Sequence, residues 1–520
     1  MTGSWSGRWP GPLSAAVAQL CEQLERSVGP RTAAGLREVA RRLAAPLQVA
    51  LVGRLSSGKS TLVNALIGRR VARTDVAECT QLVTRFRNAT VDRVEVVLRT
   101  GQRRALPFDA AGMIPAELEV DLAQVSHLEA YLTNAVLQDL TVLDTPGLGS
   151  LDAASAARAQ AVLRPQAGLR PPALDDASTA AVAEAEAVLY VVTQAVRADD
   201  AEMLAAFTAA TAARQAGPVN AIAVLTKADT VVPESVPGSD GDVVKAAALL
   251  AARQAEVLGP RVAGVLPMIG LLAETAETGA LRTADTAALA ALARTDPAIR
   301  TAMLLSTDLF TTLDSPVPAT ARRQLLERLD LYGVSRALDA LAADPRLTTG
   351  ALRTVLREVS GLDRLRARLD AVFRVRADGI KAAGALSSIT ALARASGDPR
   401  ERRLVHDAVE VLRATPQAHQ LQLLEAVILV STGAVALPCD LADEVLRVGG
   451  STVAAEQLGL AGRSRAELAY YAMARAGWWR SFASFGATPA QSRVAHVVHR
   501  AYFLLWQQLR DERGAGVRFS

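Results

Sequence analysis

The spacing of apolar residues changes once along this chain, and the change divides it. From residue 47 to about residue 268 apolar residues come in short unbroken or alternating runs; beyond about residue 296 they recur every third or fourth position. The unbroken runs at 47–53 (LQVALVG), 140–144 (LTVLD), 187–192 (AVLYVV) and 220–225 (NAIAVL) read as strands buried on both faces. Residues 81–87 and 91–100 alternate, which enlarges the sheet with strands that have one polar face, and residues 264–268 supply a further short strand. Later, residues 321–341 carry apolar side chains at 325, 326, 329, 334, 338 and 341, and residues 361–376 carry Leu362, Leu365, Leu369, Val372 and Phe373. Such steps mark helices of a bundle. Shorter helices follow from residue 398, and the last pair spans 464–480 and 490–513. Before the first strand, residues 12–45 form two helices broken at Gly29-Pro30, expected to pack on helices returning from the C-terminal half. The expected division is residues 1–45 and 281–520 as an all-α neck and trunk bundle around an α/β domain at 46–280.

Three of the unbroken runs end in polar loops with recognisable chemistry. After 47–53 comes RLSSGKST, so that G-x-x-x-x-G-K-[ST] sits between a strand and an amphipathic helix. Gly53 and Gly58 let successive N–H groups turn toward phosphate oxygens, Lys59 reaches the β/γ-phosphates, and Ser60 offers a hydroxyl to Mg²⁺. Ser56, Ser57 and Thr61 complete the phosphate-binding set. The strand 140–144 runs into D-x-x-G, where Asp144 reaches Mg²⁺ through water and the Gly147 N–H senses the γ-phosphate. The strand 220–225 runs into Thr226-Lys227-Ala228-Asp229. A carboxylate there accepts from the ring N–H and exocyclic amine of guanine, a donor pair adenine lacks, while the Lys227 stem covers the base. Only four of the 57 basic residues are lysines, and two of them, Lys59 and Lys227, stand where a GTPase uses a compact ammonium. The expectation is a P-loop GTPase domain with a mixed, mostly parallel sheet and helices on both faces, using GTP as substrate and Mg²⁺ as cofactor.

Hydrolysis also needs a threonine on a mobile loop. Thr80, directly before the alternating strand, is the choice for binding Mg²⁺ and positioning water, with Thr74 and Thr84 as alternatives; Lys59, Ser56 and Thr80 are thus the catalytic candidates. Cys79 beside Thr80 reads as a small apolar neighbour, without basic residues around it to activate the thiol. Residues 150–185, rich in Ala, Pro, Asp and Ser, come after D-x-x-G and read as a second nucleotide-sensitive segment. Asp199 and Asp200 read as a helix cap. Residues 268–271 are the candidate for the last base-contacting loop.

Composition narrows the picture. At 520 residues the chain has room for two or three domains, and 4% aromatics among 50% hydrophobic residues favours packed helices over β-sandwiches. A net charge of +4 is too mild for nucleic acid, which argues against a ribosome-assembly or tRNA-modifying GTPase. Three scattered cysteines imply neither a disulfide framework nor a zinc site and suit a reducing cytoplasm; no signal peptide is expected. Residues 320–376 hold twelve Arg against seven acids, read as a solvated helix face, with attraction to anionic lipid as the alternative. Residues 423–438 (LLEAVILVSTGAVALP) are shorter than the roughly twenty residues a bilayer span needs. Burial in the bundle is expected there, with a hairpin around 427–437 dipping into lipid as the alternative. The aromatic set Tyr470, Tyr471, Trp478, Trp479, Tyr502, Phe503 and Trp506 reads as core.

The segments LVGRLSSGKSTLVNALIG, ECTQLVTRFR, LDTPG, SPVPATARRQLLERLDLYGV and GLDRLRARLDAVFRVRADGIKAAGAL resemble the dynamin superfamily. More closely, they are similar to the bacterial dynamin-like proteins of actinomycetes, especially the shorter member of the isoniazid-inducible mycobacterial pair. The resemblance spans most of the chain from about residue 35. It implies a helical neck and trunk and nucleotide-dependent pairing of GTPase domains, with itself or with a sister dynamin-like protein. It also implies membrane remodelling or fission from a cytoplasmic position at the inner face of the cell membrane. One departure stands out: eukaryotic dynamins carry a Gln where this chain has Leu55, although the next serine is kept as Ser56. Leu55 cannot hydrogen-bond water, so either backbone carbonyls and Thr80 suffice or turnover is slow, and a nucleotide-switched scaffold with little hydrolysis is the alternative.

Overall fold

The computed structural model describes residues 9–54, 56–74, 82–146, 185–194, 220–259, 262–374, 376–415, 418–431, 434–451 and 453–511. Leu55, Cys79, Thr80, Gly147, the segment after D-x-x-G and Asp199-Asp200 lie outside them.

Two helices open the chain, α1 (Pro12–Glu25) and α2 (Pro30–Ala44), each with proline in its first turn. Neither has a side-chain cap of its own, and both borrow carboxylates from far along the sequence. Asp378 accepts from the Leu13 and Ser14 N–H groups at 3.0 and 2.7 Å, and Glu401 accepts from the Gly29 N–H and the Thr32 hydroxyl. Negative charge at a helix N-terminus is favourable, so these contacts hold the expected packing in register. Leu13, Val17, Leu36 and Val39 then share one apolar cluster with Leu386, Ile389, Val405 and Val409.

The α/β part is built on β1 (Leu47–Gly53), α3 (Lys59–Ile67), β2 (Thr84–Asn88), β3 (Arg93–Leu98), β4 (Arg103–Leu106), β5 (Val125–Leu132), α4 (Val136–Asp139), β6 (Leu140–Asp144), β7 (Ala187–Val192), β8 (Ala221–Leu225), α5 (Val243–Leu258) and β9 (Val265–Pro267). The strands form one sheet in the order β4-β3-β5-β2-β6-β1-β7-β8-β9. From β6 to β9 neighbours are parallel; β2 joins β6 antiparallel, and β3 is antiparallel to both β4 and β5. Every residue of β1 is buried because both faces are covered. Val49 and Leu51 face α3, while Ala50 and Val52 face the side covered by Ala251 and Leu258 of α5.

Helices continue as α6 (Gly270–Glu277), α7 (Thr283–Ala293), α8 (Pro297–Met303), α9 (Thr307–Thr312), α10 (Ala319–Ala343), α11 (Thr349–Ser360), α12 (Leu362–Leu369), α13 (Ala377–Ala395), α14 (Pro399–Arg413), α15 (His419–Ser431), α16 (Cys439–Val448), α17 (Ala454–Leu458), α18 (Arg465–Phe485) and α19 (Pro489–Asp511). Two differ from the expected uniform helices. α10 bends at Asp330, whose φ of 53° and ψ of 179° are non-helical, and the run after α12 widens into a π turn at Asp370–Arg374.

The stretch at 423–438 corrects the lipid-dipping alternative. Val427 and Val430 are 2% and 9% exposed and pack in one cluster with Trp479, Val498 and Tyr502. Among the described residues of the run, Ala426, Val427, Val430 and Val435 are core, in one cluster with side chains of α18 and α19. No described helix is long and apolar enough to cross a membrane. The aromatic set also divides: Trp479 and Tyr502 are buried, whereas Tyr470 and Trp478 are exposed.

Candidate functional site

The parallel strands β6, β1, β7 and β8 bring their C-terminal ends to one edge, where the first residues outside the sheet carry the polar chemistry. The loop between β1 and α3 needs its residue types. A Cβ on Gly53 would lie 2.6 Å from the Val191 carbonyl oxygen on the neighbouring strand, so only glycine permits that approach. Gly58 at φ 91° and Ser56 at φ 57° place the backbone in the left-handed region, and the helix starts at once at Lys59. Its ammonium is buried and donates to the Gly53 and Arg54 carbonyls at 3.1 and 2.9 Å, inside the turn that presents the loop N–H groups. Burial pushes the Lys59 pKa down, and the nearby Asp144 carboxylate opposes that shift.

Asp144 ends β6 across from the loop. Its Oδ2 accepts from the Ser60 hydroxyl at 3.0 Å, while Oδ1 is buried with no hydrogen-bond partner. Burial drives its pKa up to about 6, against the Lys59 charge and the Ser60 hydrogen bond. The Ser57 hydroxyl is likewise buried and unpartnered. Orphaned groups of this kind are rare in folded chains and mark places where a ligand completes the set. Here they suit Mg²⁺, whose few protein ligands are completed by water and substrate phosphates.

The Thr226–Asp229 segment meets the loop between β1 and α3 directly. Thr226 is buried with its hydroxyl 2.6 Å from the Ser57 carbonyl oxygen and 3.0 Å from that of Val192, so it fixes the P-loop to the end of β7. Lys227 is exposed at φ 53°, and Asp229 sits half-buried in a 3₁₀ turn. Burial raises the Asp229 pKa; its own backbone hydrogen bond and Lys227 oppose this, and Asp330 adds to it. The Ala228 N–H donates to the Met268 carbonyl at 3.3 Å, so the candidate loop at 268–271 adjoins this segment as the step from β9 into α6. Thr61 lies against Gly270 at the same place.

Of the threonine alternatives, Thr84 is buried within β2, in register with Asp144, and Thr74 is exposed. Two contributors escape a motif reading. Asn64 of α3 accepts from the Val71 and Ala72 N–H groups and donates to the Ala72 carbonyl and Glu274, tying down the chain that leads toward Thr80. Thr145 donates to the Leu51 carbonyl at 2.6 Å and fixes the exit from β6. A buried Asn inside an apolar helix is the one signal that would have exposed the first.

The model of the dynamin family matches residues 49–228, from β1 to the turn after β8. The isoniazid-induced protein IniC of Mycobacterium tuberculosis, in strain CDC 1551 / Oshkosh and in strain ATCC 25618 / H37Rv, is 33% identical over 452 residues, 86% of this chain and 86% of its own. A solved structure of an oligomerised bacterial dynamin pair, described as providing a mechanism for long range sensing and tethering of membranes, aligns over 98% of this chain and 93% of its own with 12% identity. Its TM-score of 0.33 is too low to carry an argument. A third of the residues shared with IniC across most of both chains, and a family model that falls on the strands and loops just described, show that the chain belongs to the dynamin family, with a GTPase-type α/β domain on a mixed, mostly parallel sheet and a helical C-terminal region.

Proposed function

We propose that this chain binds Mg²⁺ and GTP at the β1–β6–β8 edge and hydrolyses the γ-phosphate by in-line attack of water. The observation that carries the reading is Asp144, buried beside Ser60 and Lys59 with one carboxylate oxygen unpartnered. The loop N–H groups from Gly53 to Ser60 and the Lys59 ammonium hold the phosphates and stabilise charge that builds there, once Lys59 leaves the Gly53 and Arg54 carbonyls. Ser60 and Asp144 would hold Mg²⁺, which draws charge from the phosphate oxygens when bound. Asp229 selects guanine and Lys227 lies along the base. Thr80, outside the described residues, positions the water, with Ser56 retained beside Leu55. Single-turnover hydrolysis of GTP tests this: Thr80→Ala should keep nucleotide binding and lose roughly 10²-fold in rate. Normal turnover in that variant removes Thr80 from the role.

A second element concerns the surface on which the enzyme works. Phe485, the last residue of α18, is 93% exposed and Trp478, about two turns earlier on that helix, 40%, and the same two helices also expose Arg480, Arg493 and Arg510. Aromatic and basic side chains together suit an anionic membrane surface approached peripherally, through self-association of GTPase domains or with a sister dynamin-like protein. Phe485→Ser should reduce sedimentation with anionic vesicles and leave GTP affinity unchanged. Undiminished sedimentation moves the contact elsewhere.

A further inference from the structure

A cavity of about 370 Å³ lies where α1 and the start of α13 meet α15, α16 and α19, far along the chain from every nucleotide element. That volume falls in the range of small-molecule sites, roughly 300–1,000 Å³. Its described lining brings Leu423, Leu424, Leu504 and Leu505 together with Arg376 and His419, and includes no Asp or Glu.

Arg376 is the unusual member. A guanidinium cannot shed its charge, so an arginine drawn inside a protein is normally met by a carboxylate or by carbonyls. Here Nε is buried without a partner, and no ion pair to Arg376 occurs among the described residues. Nη2 lies beside Gly450, just past the end of α16. The carboxylate two positions along, Asp378, is engaged in capping α1 through the Leu13 and Ser14 N–H groups. Burial pushes the Arg376 pKa down to about 10, with the charge of Arg368 adding to it, so the site disfavours the cation that occupies it. His419 is buried as well, with Nε2 unpartnered, and burial lowers its pKa to about 4. It is therefore neutral at pH 7 and leaves Arg376 as the positive centre.

We infer that this cavity binds an anionic amphiphile, with a carboxylate or phosphate head paired to Arg376 and an apolar body against Leu423, Leu424, Leu504 and Leu505. A bare anion would leave the leucines wet, and an uncharged apolar molecule would leave the Arg376 Nε buried without a partner; only a ligand with both parts answers both. The occupant would touch α1, α13, α15, α16 and α19 at once and so tie the helices that pack near the sheet to the terminal bundle.

The test is calorimetric titration of the full chain at pH 7 with sodium dodecanoate, dodecyl phosphate, inorganic phosphate and dodecyltrimethylammonium, each below its micelle concentration. One equivalent of dodecanoate or dodecyl phosphate should bind, and whichever binds more tightly identifies a fatty carboxylate or a lipid phosphate as the source. Arg376→Gln should weaken that binding about 10- to 100-fold, the range for losing a charge-assisted hydrogen bond. A second variant covers the case in which Arg376→Gln does not fold. Gly379 lines the cavity, and a Cβ built there meets nothing within 4 Å. Gly379→Leu should therefore fill the space, abolish binding, melt no lower than the wild type and keep GTP affinity. The inference is overturned if dodecyltrimethylammonium binds as tightly as dodecanoate. It is equally overturned if inorganic phosphate matches dodecyl phosphate, if neither amphiphile binds, or if folded Gly379→Leu binds dodecanoate as the wild type does.

Discussion

Asp144 at the edge of the sheet and Glu444 inside the terminal helices are both withdrawn from water, yet they titrate in opposite directions. Burial works to raise each. Around Glu444 that effect is overruled by donors: Arg475 grips both oxygens, and the Trp479 N–H and Tyr502 hydroxyl reach Oε1 at 3.1 and 2.5 Å. Around Asp144 a single hydroxyl and a nearby ammonium do not suffice, and its pKa rises to about 6. The difference separates a polar group that holds the fold from one whose remaining partners must come from outside. A satisfied buried network specifies packing; a half-satisfied one is a standing cost that ligand binding relieves.

The largest effect should come from charging the helical core. Val427→Asp together with Val430→Asp places two unpaired carboxylates beside Trp479 and Tyr502, at a cost of at least about 4 kcal/mol. Thermal melting should lose its cooperative transition, whereas a protein that melts normally would return this stretch to the surface. Next, Glu444→Ala strands four donor groups on three side chains and should lower stability by about 3–5 kcal/mol in chemical denaturation, with nucleotide affinity of the folded protein unchanged. Asp144→Asn should do the reverse, melting no lower than the wild type while Mg²⁺-dependent GTP affinity falls. Equal destabilisation by both substitutions would erase the contrast.

A smaller effect comes from pH. The folded pKa of Asp144, about 6, lies above its ordinary 3.8, so its contribution to stability is present below that lower value and is lost as pH rises through about 6. Glu444, held below its ordinary 4.5, contributes above that value and loses its contribution as pH falls through its lowered pKa. The proposed binding of Mg²⁺ and GTP calls for the ionised Asp144. Their affinity should weaken below pH 6 by up to about tenfold per pH unit from Asp144 alone, and Asp144→Asn should keep only the shallower slope that the γ-phosphate of GTP itself contributes. Titration in two buffers of different ionisation heat measures the protons released directly.

Much of the site was legible because each strand of the edge is a continuous apolar run that stops abruptly at polar residues, as at Asp144 and Thr226. The outer sheet was less so. Arg103–Leu106 reads RRAL and is mostly exposed, and Val125–Leu132 contains Ser126, His127 and Glu129, so both strands depend on pairing with β3 rather than on their own pattern. The stretch at 423–438 shows a different limit: an apolar run reports that water is unwelcome, and only the closure of α18 and α19 over Val427 decides what replaces it. The bend of α10 at Asp330 had no local signal at all, since neither glycine nor proline occupies it. Arg376 was counted in a helix face whose charge looked solvated, and only packing reveals it beside a cavity.

The central claim, a guanine-selective Mg²⁺ nucleotide site at the β1–β6–β8 edge, meets its most direct test in base exchange at Asp229. Equilibrium binding of GTP, ATP and xanthosine triphosphate should be compared in the wild type and in Asp229→Asn, with Mg²⁺ present. The wild type should hold GTP well above ATP, and the variant should lose GTP affinity while gaining xanthosine triphosphate, whose extra carbonyl accepts from the new amide. Equal affinity of the wild type for ATP and GTP, or a variant with unchanged base preference, would contradict the account.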